Sequence, residues 1–346
     1  MTAPTQPSAQ HKTFFRWQRA SLEHHIHTLM PQWGGLPLTI HSRDLESNAS
    51  FVNYVRFHRL IDPITGKPMD VVEKSIRKVA FIGSQEARFH RAEGMLQGSV
   101  YFRYPPCLGV IETPWESLIF TRYIRGRPPR MQSIGRHLGR GIAEQEERSS
   151  AYIEAMPRNQ TLLLWSMDFF RPWFLLRPRF NFTRCLPELE RLAREDSRFT
   201  GLAQRLRAFA PVIRTLASQA RRSPRCISHM DYLRKNLFIR KRRLYLIDWS
   251  EAKIGRIGFD GGAYLGSLFR RKEMSEFLLA QAQFEKAYRE ALAPHFDQED
   301  ALRNQRYVFL QTALYHCLRP ETIKEYQEQN RMPLLLEKYE YLLTLL

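Results

Sequence analysis

Apolar and polar positions follow two different rhythms along this chain. In the stretch "PLTIHSRDLESNASFVNYVRFHRL", from Pro37 to Leu60, they alternate, the pattern of two half-buried strands joined by a small-residue turn at Ser47 to Ser50. The Pro and Gly of "DPITGKPMD" mark a further turn, after which "VVEKSIRKVAF" reads as another strand. "SQEARFHRAEGMLQ" changes period: Ser84 suits a helix N-cap, and Phe89, Ala92 and Leu96 recur at helical spacing. Pro105 and Pro106 break that pattern, and "LGVIET" and "SLIFTRYI" predict two more strands. "RGRPPR" (Arg125 to Arg130) reads as a linker. Beyond it apolar residues recur at three and four over Leu162 to Phe170, Leu186 to Leu206 and Phe209 to Leu216, and helical patterns resume from Gly262 to the end. Inside that helical part, "LFI" and "LYLID" predict a short β-hairpin. Residues 12 to 35 are expected to be helical, behind a polar tail at 1–11. The layout predicted is a β-rich part over 12–124 and a larger α-rich part over 125–346.

Composition narrows the class. The 346 residues suit one large domain or two lobes, and 43% hydrophobic with 12% aromatic residues can build a real core. No run approaches the length of a membrane helix, and "MTAPTQPSAQHK" lacks the apolar stretch of a secretory signal, so a cytoplasmic setting is expected. Cys107, Cys185, Cys226 and Cys317 lie far apart and match no metal spacing, which predicts reduced thiols. The net charge of +18 speaks of partners rather than fold. No nucleic-acid motif accompanies it, and "RKRR" at 240–243 sits where a hairpin turn is expected, so specific nucleic-acid recognition is not expected.

Candidate chemistry concentrates in "HMDYLRKNLFIRKRRLYLIDWSEAKIG", from His229 to Gly255. His229, Asp231, Asn236 and Asp248, spaced H-x-D-x-x-x-x-N, strand, turn, strand, I-D-W, resemble the catalytic core of the aminoglycoside phosphotransferase and choline kinase group. "DWSEAKIG…FD" is similar to that family's continuation. The resemblance covers roughly residues 40 to 270. It implies an α+β, bilobal protein-kinase-like fold, with a β-rich N-lobe that binds nucleotide and a mainly helical C-lobe. It also implies ATP and magnesium as cofactors. Phosphoryl transfer asks for an oriented hydroxyl, an oriented triphosphate and neutralised charge rather than covalent help. By the resemblance, Asp231 orients the acceptor hydroxyl and takes its proton, Asn236 and Asp248 hold magnesium, His229 braces the loop, and Asp260 steadies it. Arg234 is the candidate cation for the transferring phosphate, although relatives carry it one residue earlier, where this chain has Leu233.

In the β-rich part the alternation of "VVEKSI" puts Val72, Lys74 and Ile76 on one face. The resemblance makes Lys74 the phosphate-contacting lysine. Its glutamate partner is expected to be Glu93, with Glu86 the rival on the same helix. "LIFTRYIRG" resembles the adenine hinge, with Thr121 to Tyr123 as contacts. Backbone amides of Asn48 to Ser50 and the hydroxyls of Ser47 and Ser50 are the phosphate-covering candidates, in a turn that lacks the glycine relatives often carry.

The acceptor is read from charge. Between Arg130 and Ser228 there are eighteen arginines, no lysines and nine acids. Choline and polycationic antibiotics are met by acidic or aromatic sites. An anionic or neutral sugar-like acceptor, free or on a glycolipid, fits better. The branch that phosphorylates lipopolysaccharide core sugars is similar in basic character, and contact with an anionic inner-membrane face is expected with it. Trp165, Trp173 and the arginines 171, 177 and 179 are the candidate lipid- or sugar-facing group. An antibiotic- or choline-type kinase, and a catalytically silent kinase-like binding module, remain open alternatives.

Overall fold

The computed structural model describes residues 22–46, 51–78, 84–96, 98–157, 167–171, 181–241 and 243–346, the side chains of residues 92, 93, 95 and 132 excepted. Its compactness divides the chain into two units: residues up to Arg91 with Pro105–Arg125, and Ala92–Tyr104 with Gly126–Leu346. The second boundary follows the expected linker. The segment 92–104, expected with the β-rich part, groups instead with the helical unit. The physical reason is its strand β4 (Phe102–Arg103), which pairs in parallel with Leu244 and Tyr245.

The first unit is a five-stranded antiparallel sheet of β1 (Thr39–Leu45), β2 (Val52–Ile61), β3 (Pro68–Arg77), β5 (Cys107–Glu112) and β6 (Glu116–Arg122), in the order β1-β2-β3-β6-β5. Alternation along β3 serves two faces. Met69 and Val71 join Leu60, Leu118 and Phe120 against Ile26 of the helix over residues 22–29 (α1) and against Trp33. Ile76 and Ile119 pack instead on Ala87 of α2 (Gln85–Ala92). Ser84 caps α2 as its position predicts: Oγ accepts from the Ala87 amide at 3.2 Å. Glu73 is buried on the first face, and its carboxylate is satisfied by His58 Nε2 and Tyr54 Oη, both at 2.8 Å.

The second unit is mainly helical: α3 (Gly135–Ala155), α4 (Leu186–Glu195), α5 (Leu202–Arg207), α6 (Phe209–Ala220), α7 (Phe259–Arg271), α8 (Met274–Ala291), α9 (Gln298–Leu318), α10 (Pro320–Glu328) and α11 (Met332–Leu343). Two small sheets interrupt them. β7 (Arg225–Ser228) pairs antiparallel with β10 (Lys253–Arg256). The hairpin of β8 (Leu237–Arg240) and β9 (Arg243–Leu246) forms where expected, with Leu237 opposite Leu246. Helix α3, which the sequence reading did not find, packs closely on α8. A Cβ at Gly139 would lie 2.6 Å from the Phe284 carbonyl oxygen. Among the described residues no helix is long and apolar enough to cross a membrane, and no disulfide joins Cys107, Cys185, Cys226 and Cys317.

Candidate functional site

The loop between β7 and β8 carries the motif. β7 is buried and ends at Ser228, and the chain then turns sharply: Met230 has φ 64°. A non-glycine residue in the left-handed region is costly and persists only where its surroundings hold it. Here they do. Asp260, near the start of α7, accepts the amides of His229 (3.0 Å) and Met230 (2.9 Å), the Tyr232 hydroxyl (3.0 Å) and the Gln145 amide (3.1 Å). Asp260 is fully buried, and burial raises its pKa against these donors.

His229 links the loop to the hairpin. Its Nδ1 accepts the Asp231 amide at 3.2 Å, which leaves Nε2 to donate to the Ile247 carbonyl at 2.9 Å. Ile247 in turn donates its amide to the Asn236 carbonyl at 3.0 Å. The Asn236 side chain closes the circuit, with Nδ2 donating to Asp231 Oδ2 (2.9 Å) and to the Asp231 carbonyl (3.0 Å). Asp231 and Asn236 are therefore brought together, and Asp248 follows directly on the residue that ties them to the hairpin. Asp248 is itself left-handed, with φ 65°. Two of the four non-glycine residues with positive φ among those described thus flank this constellation.

Burial raises the Asp231 pKa first. His229 and Lys235 pull it back, the Asp248 charge raises it, and the Asn236 amide lowers it. A carboxylate so placed is a better proton acceptor than one in water. With Nδ2 committed to Asp231, the side-chain oxygen Oδ1 of Asn236 is the acceptor that its amide has left to offer. An amide oxygen and the Asp248 carboxylate are hard donors of the kind magnesium takes, and it needs few of them from protein. Among the described residues no three His, Cys, Asp or Glu converge as a metal cage.

Arg234, the expected phosphate cation, is exposed. Lys235 sits nearer the acids, its Nζ 4.0 Å from Asp248 Oδ2. A cavity of about 270 Å³ opens on Asp231, walled by Met230, Tyr232, Glu251, Arg270, Arg271 and Gln311 among others. The spacing of the motif gave no hint of Arg270, Arg271 and Gln311, which come from α7 and α9.

In the β-rich unit Lys74 Nζ donates to Glu86 Oε2 at 2.6 Å. Glu86, the rival in the first turn of α2, is thus one partner of Lys74. Glu93, the preferred one, falls in a 3-10 turn after α2 has ended, and its side chain lies outside the described residues. Thr121 lies in the ladder, opposite Val72 on one side and Cys107 on the other. Tyr123 already donates its amide to the Asp70 carbonyl at 2.9 Å, so an adenine contact there falls to its carbonyl oxygen. Ser47, Asn48 and Ser50 lie outside the described residues, as do the tail at 1–11, Trp165, Trp173, Arg177 and Arg179.

Comparison with known proteins gives two kinds of match. Residues 134–295, which span α3 through α8 and include the whole constellation, match the model of the phosphotransferase enzyme family. Among solved structures, choline kinase from Cryptosporidium parvum Iowa II is similar in fold at a TM-score of 0.50. It is 12% identical, with 88% of this chain and 90% of that one covered. Amicoumacin kinase in complex with AMP-PNP, Ca2+ and Ami is similar at the same TM-score of 0.50, with 10% identity and coverage of 87% and 88%. No curated protein sequence matches.

Proposed function

We propose, on the match of residues 134–295 to the phosphotransferase enzyme family, that this chain moves the terminal phosphate of ATP to a hydroxyl of a sugar-like acceptor. The observation that carries this reading is the closed circuit of Asp231, Asn236 and Ile247, which sets Asp248 at the end of β9. In the proposal Asp231 orients the acceptor hydroxyl in the adjoining cavity and takes its proton. Burial supports that role by raising its basicity. Asn236 and Asp248 hold magnesium, which when bound neutralises charge on the phosphates. Lys74, fixed by Glu86, grips a phosphate. Lys235 or Arg234 meets the transferring group, and the Thr121–Tyr123 backbone receives adenine. The net charge of +18 supports an acceptor that is anionic or neutral, on a glycolipid at an anionic membrane face or free.

Calorimetry of ATP binding to the full chain tests the nucleotide half. Magnesium should tighten ATP binding to the wild type. Asp248→Asn and Asn236→Ala should lose most of that tightening while still binding ATP itself. Lys74→Met should weaken ATP about tenfold with or without metal, the loss of a charge-assisted contact. Equal ATP affinity in all four proteins would remove these assignments.

A further inference from the structure

The cavity on Asp231 holds positive charge that its own acids do not answer. The Glu251 carboxylate is engaged by the buried Lys253 at 2.8 Å, and Asp231 is held by Asn236. Arg270 and Arg271, at the end of α7, remain on the wall. Arg270 has its ion pair with Glu325 at a distant 3.9 Å. Arg271 has none among the described residues. Burial, then the guanidiniums of Arg319 and Arg271, hold the Arg270 pKa down. Like charges gathered against a partly buried wall are unfavourable until an anion joins them.

The fold braces the main chain at Arg270. The Arg270 carbonyl accepts from Lys338 Nζ at 3.2 Å and Tyr326 Oη at 3.0 Å. The carbonyl end of a helix would ordinarily repel an anion, and here α10 and α11 answer it with a cation and a hydroxyl. Gln311, on the same wall, is only 7% exposed. The volume of about 270 Å³ is room for one sugar-sized group, at the small end for ligand sites.

We propose that this cavity binds a polyhydroxy acid, its carboxylate or phosphate held by Arg270 and Arg271 and one hydroxyl facing Asp231. The role of Asp231 rests on the phosphotransferase reading; the anion subsite does not. Such a site rejects cations, because a quaternary or polyamine acceptor would meet the two guanidiniums.

Calorimetry at constant ionic strength, with and without magnesium and AMP-PNP, tests this on the full chain with gluconate, inorganic phosphate and neutral sorbitol as probes. Gluconate and phosphate should bind, and sorbitol at least about tenfold more weakly. Arg271→Ala should weaken both anions about tenfold, and Arg271→Lys less. Arg289→Ala, an exposed arginine of α8, should change nothing. Vesicles containing phosphatidic acid show whether the anion can also come from a lipid: binding that Arg271→Ala weakens includes the lipid source, and binding indifferent to it leaves the free acid. Sorbitol binding as well as gluconate, or anion binding unaltered in Arg271→Ala, overturns the subsite. Failure of the phosphotransferase reading shows separately, as no binding of AMP-PNP, with the nucleotide-free titrations still readable.

Discussion

At the scale of single residues the account turns on Asp231. A proton-accepting carboxylate works only when ionised, and burial raises this one above its ordinary 3.8. Turnover should therefore fall on the acid side at a pH above the usual carboxylate range. The fall should follow a single ionisation, and Asp231→Asn should leave a low rate without that limb. An acid limb at the ordinary value would mean the site is more open than its geometry. The motif itself was legible in the sequence because its parts lie within a short string: His229, Asp231 and Asn236 come just before β8 and Asp248 just after β9, at the open end of one hairpin. The choices that sequence left open were geometric. Glu86 and Glu93 are seven residues apart, two helical turns on one face, so spacing could not separate them. Helix α2 ends at Ala92, which leaves Glu86 in its first turn against Lys74. Likewise only the 3-10 turn at Arg234–Asn236 decides that Lys235 faces Asp248. Gln311 and Arg270 carried no signal at all, since a glutamine and an arginine on amphipathic helices look alike whether they line a cavity or meet solvent.

At the scale of elements, strands were legible and helix α3 was not. β3 buries Met69, Val71, Glu73 and Ser75 in alternation and β2 buries His58 and Leu60, so the period of two survives in the sequence. Helix α3 hides its period because its buried face is polar and small: Gly135, Gly139, Gln145, Glu146, Ser149 and Ser150 are all turned inward. Gly139 is small because the α8 backbone occupies the space. Gly139→Ala should cost about 1–3 kcal/mol in denaturant unfolding, since the clash is with main chain that cannot turn aside. Glu146 makes a second test. It accepts the Tyr288 hydroxyl at 2.5 Å and the Gly258 amide at 2.8 Å, and burial raises its pKa well above 4.5. The folded state then binds this proton more tightly than the unfolded one, so stability contributed here is full at low pH and is lost as pH climbs from about 4.5 through the raised value. Glu146→Gln should flatten that decline and be the more stable protein at neutral pH. A decline equally steep in the variant would show that other groups cause it.

At the scale of the molecule, charge was legible and its use was not. The excess of arginine pointed to an anionic or neutral acceptor, and the structure sets two arginines of α7 on a cavity wall beside a braced helix end. The bracing comes from α10 and α11, in a region where the sequence offered no motif. Its purpose becomes readable once Lys338, buried and with its pKa lowered to about 8, is seen under the Arg270 carbonyl. The central claim, phosphate transfer dependent on Asp231, is tested most directly by following the terminal phosphate of magnesium-ATP into a panel of sugar acids, neutral sugars, core oligosaccharides, amino alcohols and antibiotics. Wild-type protein should phosphorylate at least one acidic or neutral sugar, and Asp231→Asn should lower that rate by about 10²–10⁴-fold with ATP binding retained. ATP bound by both proteins and transferred by neither, or equal transfer by both, would contradict the account.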